Sequence, residues 1–269
     1  MKQTSKSLIQ DVLKRFDIGI TSYRNLQNLQ DLRKKVSDPA EHRANSDIQF
    51  LLKLPDDKVP AVIKNFRKSK AQLRQDLFVL SELGFKERGF FVEFGATNGV
   101  DLSNTYLLEK EFGWTGIVAE PAIGWHSMLH ANRSCNIDTR CVWSSSGETL
   151  TFNEVTVGEL STIDKFSESD AFLNQRKEGT KYAVSTVTLR DLLDAYGAPK
   201  VIDYLSVDTE GSEFEILRNF DFGRYQFKVI TCEHNFTDIR DKLHKLLVSN
   251  GYSRKFEDVS QWDDWYVRP

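Results

Sequence analysis

The first quarter of the chain is written in helical spacing. Leu8, Ile9, Val12, Leu13 and Phe16 recur three and four residues apart in "SLIQDVLKRF", which predicts an amphipathic helix. Leu26, Leu29 and Leu32 predict a second helix in "NLQNLQDLRKK". The following stretch, "VSDPAEHRANSD", is polar, carries a proline and reads as a linker or exposed loop. Residues 59–85 return to helical spacing, with Gly84 placed to stop the helix. Residues 1–75 are therefore expected to form a helical extension: a lid, a dimerisation element or a partner surface.

From residue 89 the pattern changes to short apolar runs alternating with amphipathic ones. "FFVEFG", "TGIVAEP", "TRCVWSS", "ETLTFNEV", "VIDYLSVD" and "FKVITCEH" read as strands, and "YSRKF" and "DWYVRP" as two closing strands. Between them, "SNTYLLEKEFG", "GWHSMLHANR", "TLRDLLDAYG", "SEFEILRNF" and "DIRDKLHKLLVSNG" read as helices. Ser103 and Thr188 stand at N-caps, and Gly197 at a stop. Such alternation implies a mostly parallel sheet covered on both faces. The polar stretch 154–187 exceeds an ordinary connection and is expected to be a functional lid or a disordered segment.

Composition narrows the class. Hydrophobic residues at 40% and charged residues at 28% are those of a soluble globular protein. No apolar run approaches the roughly 18–20 residues that span a bilayer, and Gln10, Asp11 and Lys14 interrupt the N-terminus where a signal peptide would be apolar. The three cysteines, an odd number without CxxC spacing, suggest reduced thiols in the cytoplasm. The net charge of −3 hides an asymmetry: residues 1–75 hold sixteen basic and eight acidic side chains, and the rest is acidic. A basic arm of this kind suits a homo-oligomer contact or a peripheral, oppositely charged partner. Nucleic acid is not expected, because no basic–aromatic interleaving accompanies the charge.

Candidate chemistry lies at the strand ends. Gly95 and Gly99 bracket a turn whose G-x-x-x-G spacing is not a dinucleotide fingerprint. Glu120 closes the next strand, where an acid accepts hydrogen bonds from both ribose hydroxyls of an adenosine. A pyrophosphate needs a closer cradle of backbone N–H groups, and Glu93 would repel it while welcoming a cationic amino-acid portion. These features favour S-adenosylmethionine over NAD.

"VEFGATNGVDLSNTYLLEKEFGWTGIVAEP" together with "IDYLSVDTEGSEFEIL" resembles the FkbM family of S-adenosylmethionine-dependent methyltransferases. The resemblance implies a Rossmann-like α/β class I methyltransferase fold with a seven-stranded, mostly parallel sheet over residues 76–269, beyond the N-terminal helical extension. It implies a cofactor site built from Glu93, Gly95, Ala96, Thr97, Asn98, Gly99, Ser103, Asn104, Glu120, Pro121, Trp143, Ser144 and Asp208. "AQLRQD" (residues 71–76) resembles a segment found just upstream of the first strand in relatives and is expected to line this pocket. The implied reaction is O-methylation of a sugar hydroxyl, on a nucleotide-sugar or a surface glycan in polysaccharide biosynthesis. The alternatives are a non-sugar natural product as acceptor, or a non-catalytic binding module on the same fold. Asp208, Glu233 and His234 resemble the ligand positions of metal-dependent O-methyltransferases and would hold magnesium, manganese or iron, departing from the usual acid–acid–amide set. Without metal, His234 is the expected general base, with Asp208 beside it. Glu210 and Glu213 read as acids of a helix's first turn.

Overall fold

The computed structural model describes residues 39–169 and 172–269, with residues 39–42 described by their backbone alone. The helices expected at 7–16 and 25–35 lie outside the described residues. Residues Gln49–Pro269 form one compact unit. Helix α1, Pro39–Lys53, runs where a polar loop was expected. Proline is tolerated in a helix's first turn, and Ala40, Glu41 and Ala44 are good helix formers.

The single helix expected over 59–85 is two: α2, Val59–Asn65, and α3, Gln75–Glu82. Between them the chain folds around Asp76. The buried Asp76 carboxylate accepts the Ser69 hydroxyl at 2.7 Å and the Lys70 and Leu77 N–H groups. Arg74 turns the backbone at φ 70°. Gly84, at φ 63°, follows α3 as its stop. Phe50, Leu54 and Val62 share one apolar cluster with Leu77, Phe78 and Trp265, so the compact unit takes in residues from Gln49 onward.

The main sheet has seven strands. They are β1 Phe90–Phe94, β2 Thr115–Ala119, β3 Asn136–Asp138, β8 Val201–Val207, β9 Gln226–Glu233, β10 Ser253–Lys255 and β11 Asp263–Val267, in the order β10-β11-β9-β8-β1-β2-β3. The five from β3 to β9 are parallel; β11 runs antiparallel beside β9, and β10 antiparallel to β11. Side chains alternate between faces. Val92, Phe94, Ile117 and Leu205 pack with α7 (Leu189–Ala195) and α9 (Ile239–Ser249). Phe91, Val118, Tyr204 and Val229 pack with α3, α4 (Tyr106–Phe112) and α5 (His126–Asn132). Thr188 caps α7 by accepting the Asp191 N–H at 3.1 Å, and Gly197 follows it at φ 61°.

Two strand assignments differ from the sequence pattern. "TRCVWSS" is not the third strand of this sheet. Its Cys141–Val142 (β4) pairs instead with β7, Thr180–Val187, in a second sheet of order β4-β7-β5-β6. The supposed lid at 154–187 is largely structured: β6 Thr162–Ile163, α6 Leu173–Arg176, and β7, which pairs antiparallel with β5, Thr149–Glu154. Partners outside the main sheet stabilise these polar strands, which local hydrophobicity does not reveal. No described helix is long and apolar enough to cross a membrane.

Candidate active site

Strand order reverses between β1 and β8, and ligands in such sheets bind beyond the carboxyl ends at that point. β1 ends in Gly95, whose φ of 76° suits glycine. A Cβ there would fall on the Asp208 carbonyl oxygen, so the turn and the end of β8 meet without room for a side chain. Gly99, at φ 82°, lies against Arg133 and Leu129, where a Cβ would come within 2.8 Å of both.

Glu93 ties the turn to the next helix. Its carboxylate accepts from the Ser103 hydroxyl at 3.1 Å, the Asn104 N–H at 2.6 Å and the Thr105 hydroxyl at 2.5 Å. Buried Arg133 donates to Glu93 at 3.3 Å and to Glu109 at 2.6 Å. Ser103 sits three residues before the first helical residue of α4, where its Oγ accepts the Tyr106 N–H at 3.1 Å. The ends of β1 and β2 are joined through Glu120, whose oxygens accept the Thr97 and Ala122 N–H groups, each at 2.8 Å. Burial pushes the Glu120 carboxyl up to about 7 against these two bonds, with Glu154 and Glu93 adding repulsion.

These groups open on a cavity of about 360 Å³, within the usual range for small-ligand pockets. Glu93, Gly95, Thr97, Asn104, Glu120, Pro121 and Asp208 line it, as does Gln72 from the segment before α3. Asn104 donates to the Ser206 hydroxyl, and its buried Oδ1 has no donor among the described residues. Trp143 and Ser144 are not among the lining residues. Trp143 packs against Phe166 under the Lys165 ammonium, and Cys141 occupies the wall instead. Ala96, Asn98, Gly99 and Ser103 support the turn without lining the cavity.

On the β8–β9 side the cavity meets a nest of carboxyls. Asp208, Glu210 and Glu233 place oxygens within 4.8 Å of one another, and Asp208 and Glu233 are hydrogen-bonded together. Burial, with the repulsion of Glu210, Asp263 and Glu213, raises the Asp208 carboxyl well above its usual range. Burial and Asp208 itself do the same to Glu233. Crowded together, the two carboxyls each favour the protonated form more than an exposed acid does. Arg176, buried on α6, donates to Glu210 at 2.7 Å.

The imidazole of the expected Asp208–Glu233–His234 set lies outside this group. Consecutive residues leaving a strand point to opposite sides; His234 does not line the first cavity and lines only a second one, which Glu233 also reaches. Its Nδ1 accepts the Phe236 N–H at 3.0 Å, and burial holds its pKa below the ordinary value. Glu210 takes the vacant place because its φ of 58° folds the chain back toward Asp208. Three carboxylates suit a hard divalent cation better than the expected set did. Sequence reasoning passed over Glu210 as a first-turn acid. It missed Arg176 altogether, a lone arginine in a polar stretch without a motif.

A family model described as Methyltransferase FkbM domain matches residues 93–263. No curated protein matches the chain. Among solved structures, an FkbM methyltransferase from Methylobacillus flagellatus KT is 13% identical, with a TM-score of 0.44 over 84% of this chain and 59% of that one. A precorrin-6y C5,15-methyltransferase from Geobacter metallireducens GS-15 is 14% identical, with a TM-score of 0.37 over 67% of this chain and 72% of that one.

Proposed function

Because the chain belongs to the FkbM methyltransferase family and has a Rossmann-like class I methyltransferase fold, we propose that it transfers a methyl group from S-adenosylmethionine to a sugar hydroxyl. The observation that carries this reading is the hydrogen-bonded Asp208–Glu233 pair in the wall of the cavity that Glu120 closes. One wall suits the adenosine. Each Glu120 oxygen holds one backbone N–H and keeps a lone pair for a ribose hydroxyl. Asn104 Oδ1 is a free acceptor for an amino group.

The cofactor supplies an electrophilic methyl on a sulfonium. The protein's part is to align the acceptor oxygen with it, which is worth about 7–11 kcal/mol in favourable cases. The ionised member of the Asp208–Glu233 pair takes the hydroxyl proton as the oxygen–carbon bond forms and the carbon–sulfur bond breaks. Its raised basicity suits that task better than an ordinary carboxylate. This assigns to the pair the base role expected of His234. Phe172, Phe236 and Trp262 line the same cavity, and Phe236 is 69% exposed, offering an aromatic face to the C–H side of a sugar ring. No Lys or Arg lines the cavity among the described residues. A glycan or free sugar therefore fits better than a nucleotide-sugar, whose diphosphate would meet carboxylates.

The Asp208, Glu210 and Glu233 oxygens support a second reading, in which they would hold a divalent cation that, in place of the carboxyl base, would acidify the acceptor hydroxyl. Equilibrium dialysis with magnesium and manganese tests it, and a Glu210→Gln variant with unchanged metal affinity would remove it. For the reaction itself, the protein is incubated with S-adenosylmethionine and panels of glycans, nucleotide-sugars and hydroxylated natural products. The expected product is a methyl ether of a sugar located by NMR. A methyl on nitrogen or carbon, or no affinity for S-adenosylhomocysteine, would overturn the proposal.

A further inference from the structure

A second cavity, of about 240 Å³, adjoins the first, since Glu233 and Asn235 line both. Its walls also include Phe166, Glu213, His234 and Thr237. The polar groups in them are incompletely satisfied. Glu213 is 1% exposed, and its Oε1 accepts the Thr209 N–H, the Thr209 hydroxyl and the Gly211 N–H at 2.9–3.0 Å. Its other oxygen, Oε2, has no donor among the described residues. Glu233 is 6% exposed, and its Oε2 receives no amide, alcohol or cationic donor. His234 is 1% exposed; its Nδ1 accepts from Phe236, and its Nε2 faces the Asp264 carboxylate at 3.7 Å.

Buried acceptors without donors cost about 1–3 kcal/mol each, and more when charged. A native fold keeps such groups where a ligand satisfies them. The missing partner is a cation, because no Lys or Arg lines either cavity among the described residues. Arg176 is already engaged with Glu210. A metal ion is not the answer here: the oxygens close enough to share one belong to Asp208, Glu210 and Glu233, and neither Glu213 nor His234 joins them. A protonated amine has the right chemistry, three donors and one positive charge on a small head.

We propose that the second cavity binds an ammonium group of the methyl acceptor, held by Glu213 Oε2 and Glu233 Oε2. The inference rests on the methyl-transfer reading and narrows its substrate class to amino sugars or other hydroxylated amines. The hydroxyl to be methylated lies in the first cavity, beside the Asp208–Glu233 pair. Specificity then comes from leaving two buried carboxylate oxygens unpaired whenever a neutral analogue enters.

The test uses full-length protein, treated with EDTA and saturated with S-adenosylhomocysteine. Calorimetric titrations compare D-glucosamine with D-glucose and N-acetyl-D-glucosamine, and n-butylammonium with n-butanol. At least one amine is expected to bind tenfold or more tightly than its neutral counterparts. Glu213→Gln, which keeps an oxygen for the Thr209 and Gly211 donors, is expected to erase that preference. Should this variant fail to fold, Ser169→Lys places an ammonium at the exposed rim of the cavity. It should raise the melting temperature and compete out the amine. A preference below tenfold in both series, one retained in the variant tested, or one appearing only with added magnesium or manganese would overturn the inference. The cofactor titration on the same sample separates the failures. Loss of S-adenosylhomocysteine binding removes the methyltransferase reading, whereas intact binding without amine preference removes this inference alone.

Discussion

Glu120 carries two duties that act on its proton in opposite directions. In the free protein burial keeps the carboxyl near 7, with Glu154 and Glu93 close enough to add repulsion. Two ribose hydroxyls can donate only to the ionised form, so adenosine binding expels the proton. S-adenosylhomocysteine affinity is therefore expected to weaken about tenfold between pH 8 and pH 6, with proton release measurable as a buffer-dependent binding enthalpy. Glu120→Gln should flatten that profile, and Glu120→Ala should cost about tenfold to a hundredfold at pH 8. A pH-independent affinity in the unaltered protein would separate Glu120 from the ribose. Gly95 poses a steric question instead. Gly95→Ala combines φ 76° with a collision against the Asp208 carbonyl, and is expected to destabilise the fold by at least ~2 kcal/mol in urea unfolding.

Arg133 does for the cofactor turn what a disulfide does for a loop. It follows α5, yet its guanidinium reaches Glu93 at the end of β1, Thr105 before α4 and Glu109 within α4. Burial would raise the Glu109 carboxyl, but Arg133 outweighs it and holds the group down at about 2. Arg133→Met should cost about 3–5 kcal/mol by stranding two buried carboxylates. Arg133→Lys should recover little, because one ammonium cannot reach three partners at guanidinium angles. Melting curves and S-adenosylhomocysteine binding read both effects, and a cost under ~1 kcal/mol for the methionine variant would show that the turn stands without the arginine. No local pattern announces this element. The strands were legible because buried parallel strands read as apolar runs, and Thr188 and Gly197 because caps are local chemistry. The break at 66–74 was not, since Asp76 acts by gathering donors from residues that helical spacing treats as one face. The two-residue β4 lay in the wrong sheet for the same reason: its partner β7 is about forty residues away.

Charge is the property that belongs to the whole molecule, and the sequence already displayed it as an acidic body, rich in Asp and Glu after residue 75. What it could not display is that much of this acidity is buried. Asp76 is pushed up to about 6, and Glu120 and Asp263 to about 7, each chiefly by burial, from ordinary values of 3.8 to 4.5. Between the ordinary and the raised values the folded state binds more protons than the unfolded one, so stability falls as pH rises through that window. Asp208 and Glu233, raised well above their ordinary values chiefly by burial, act in the same sense. Glu109 works in the opposite sense: its contribution is complete above 4.5 and is lost as pH falls toward 2. Together these groups put the stability maximum near pH 4 to 5, below the neutral range where many proteins peak. The unfolding free energy from urea titration, and with it the midpoint, should then be higher at pH 5 than at pH 8, the free energy by an amount of the order of a few kcal/mol. A flat or rising midpoint over that range would mean that the buried acids are compensated by cations already in the protein. S-adenosylhomocysteine, which selects ionised Glu120, should add more stability at pH 8 than at pH 5. A site that repels itself until a ligand arrives is least stable at the pH where that ligand binds best.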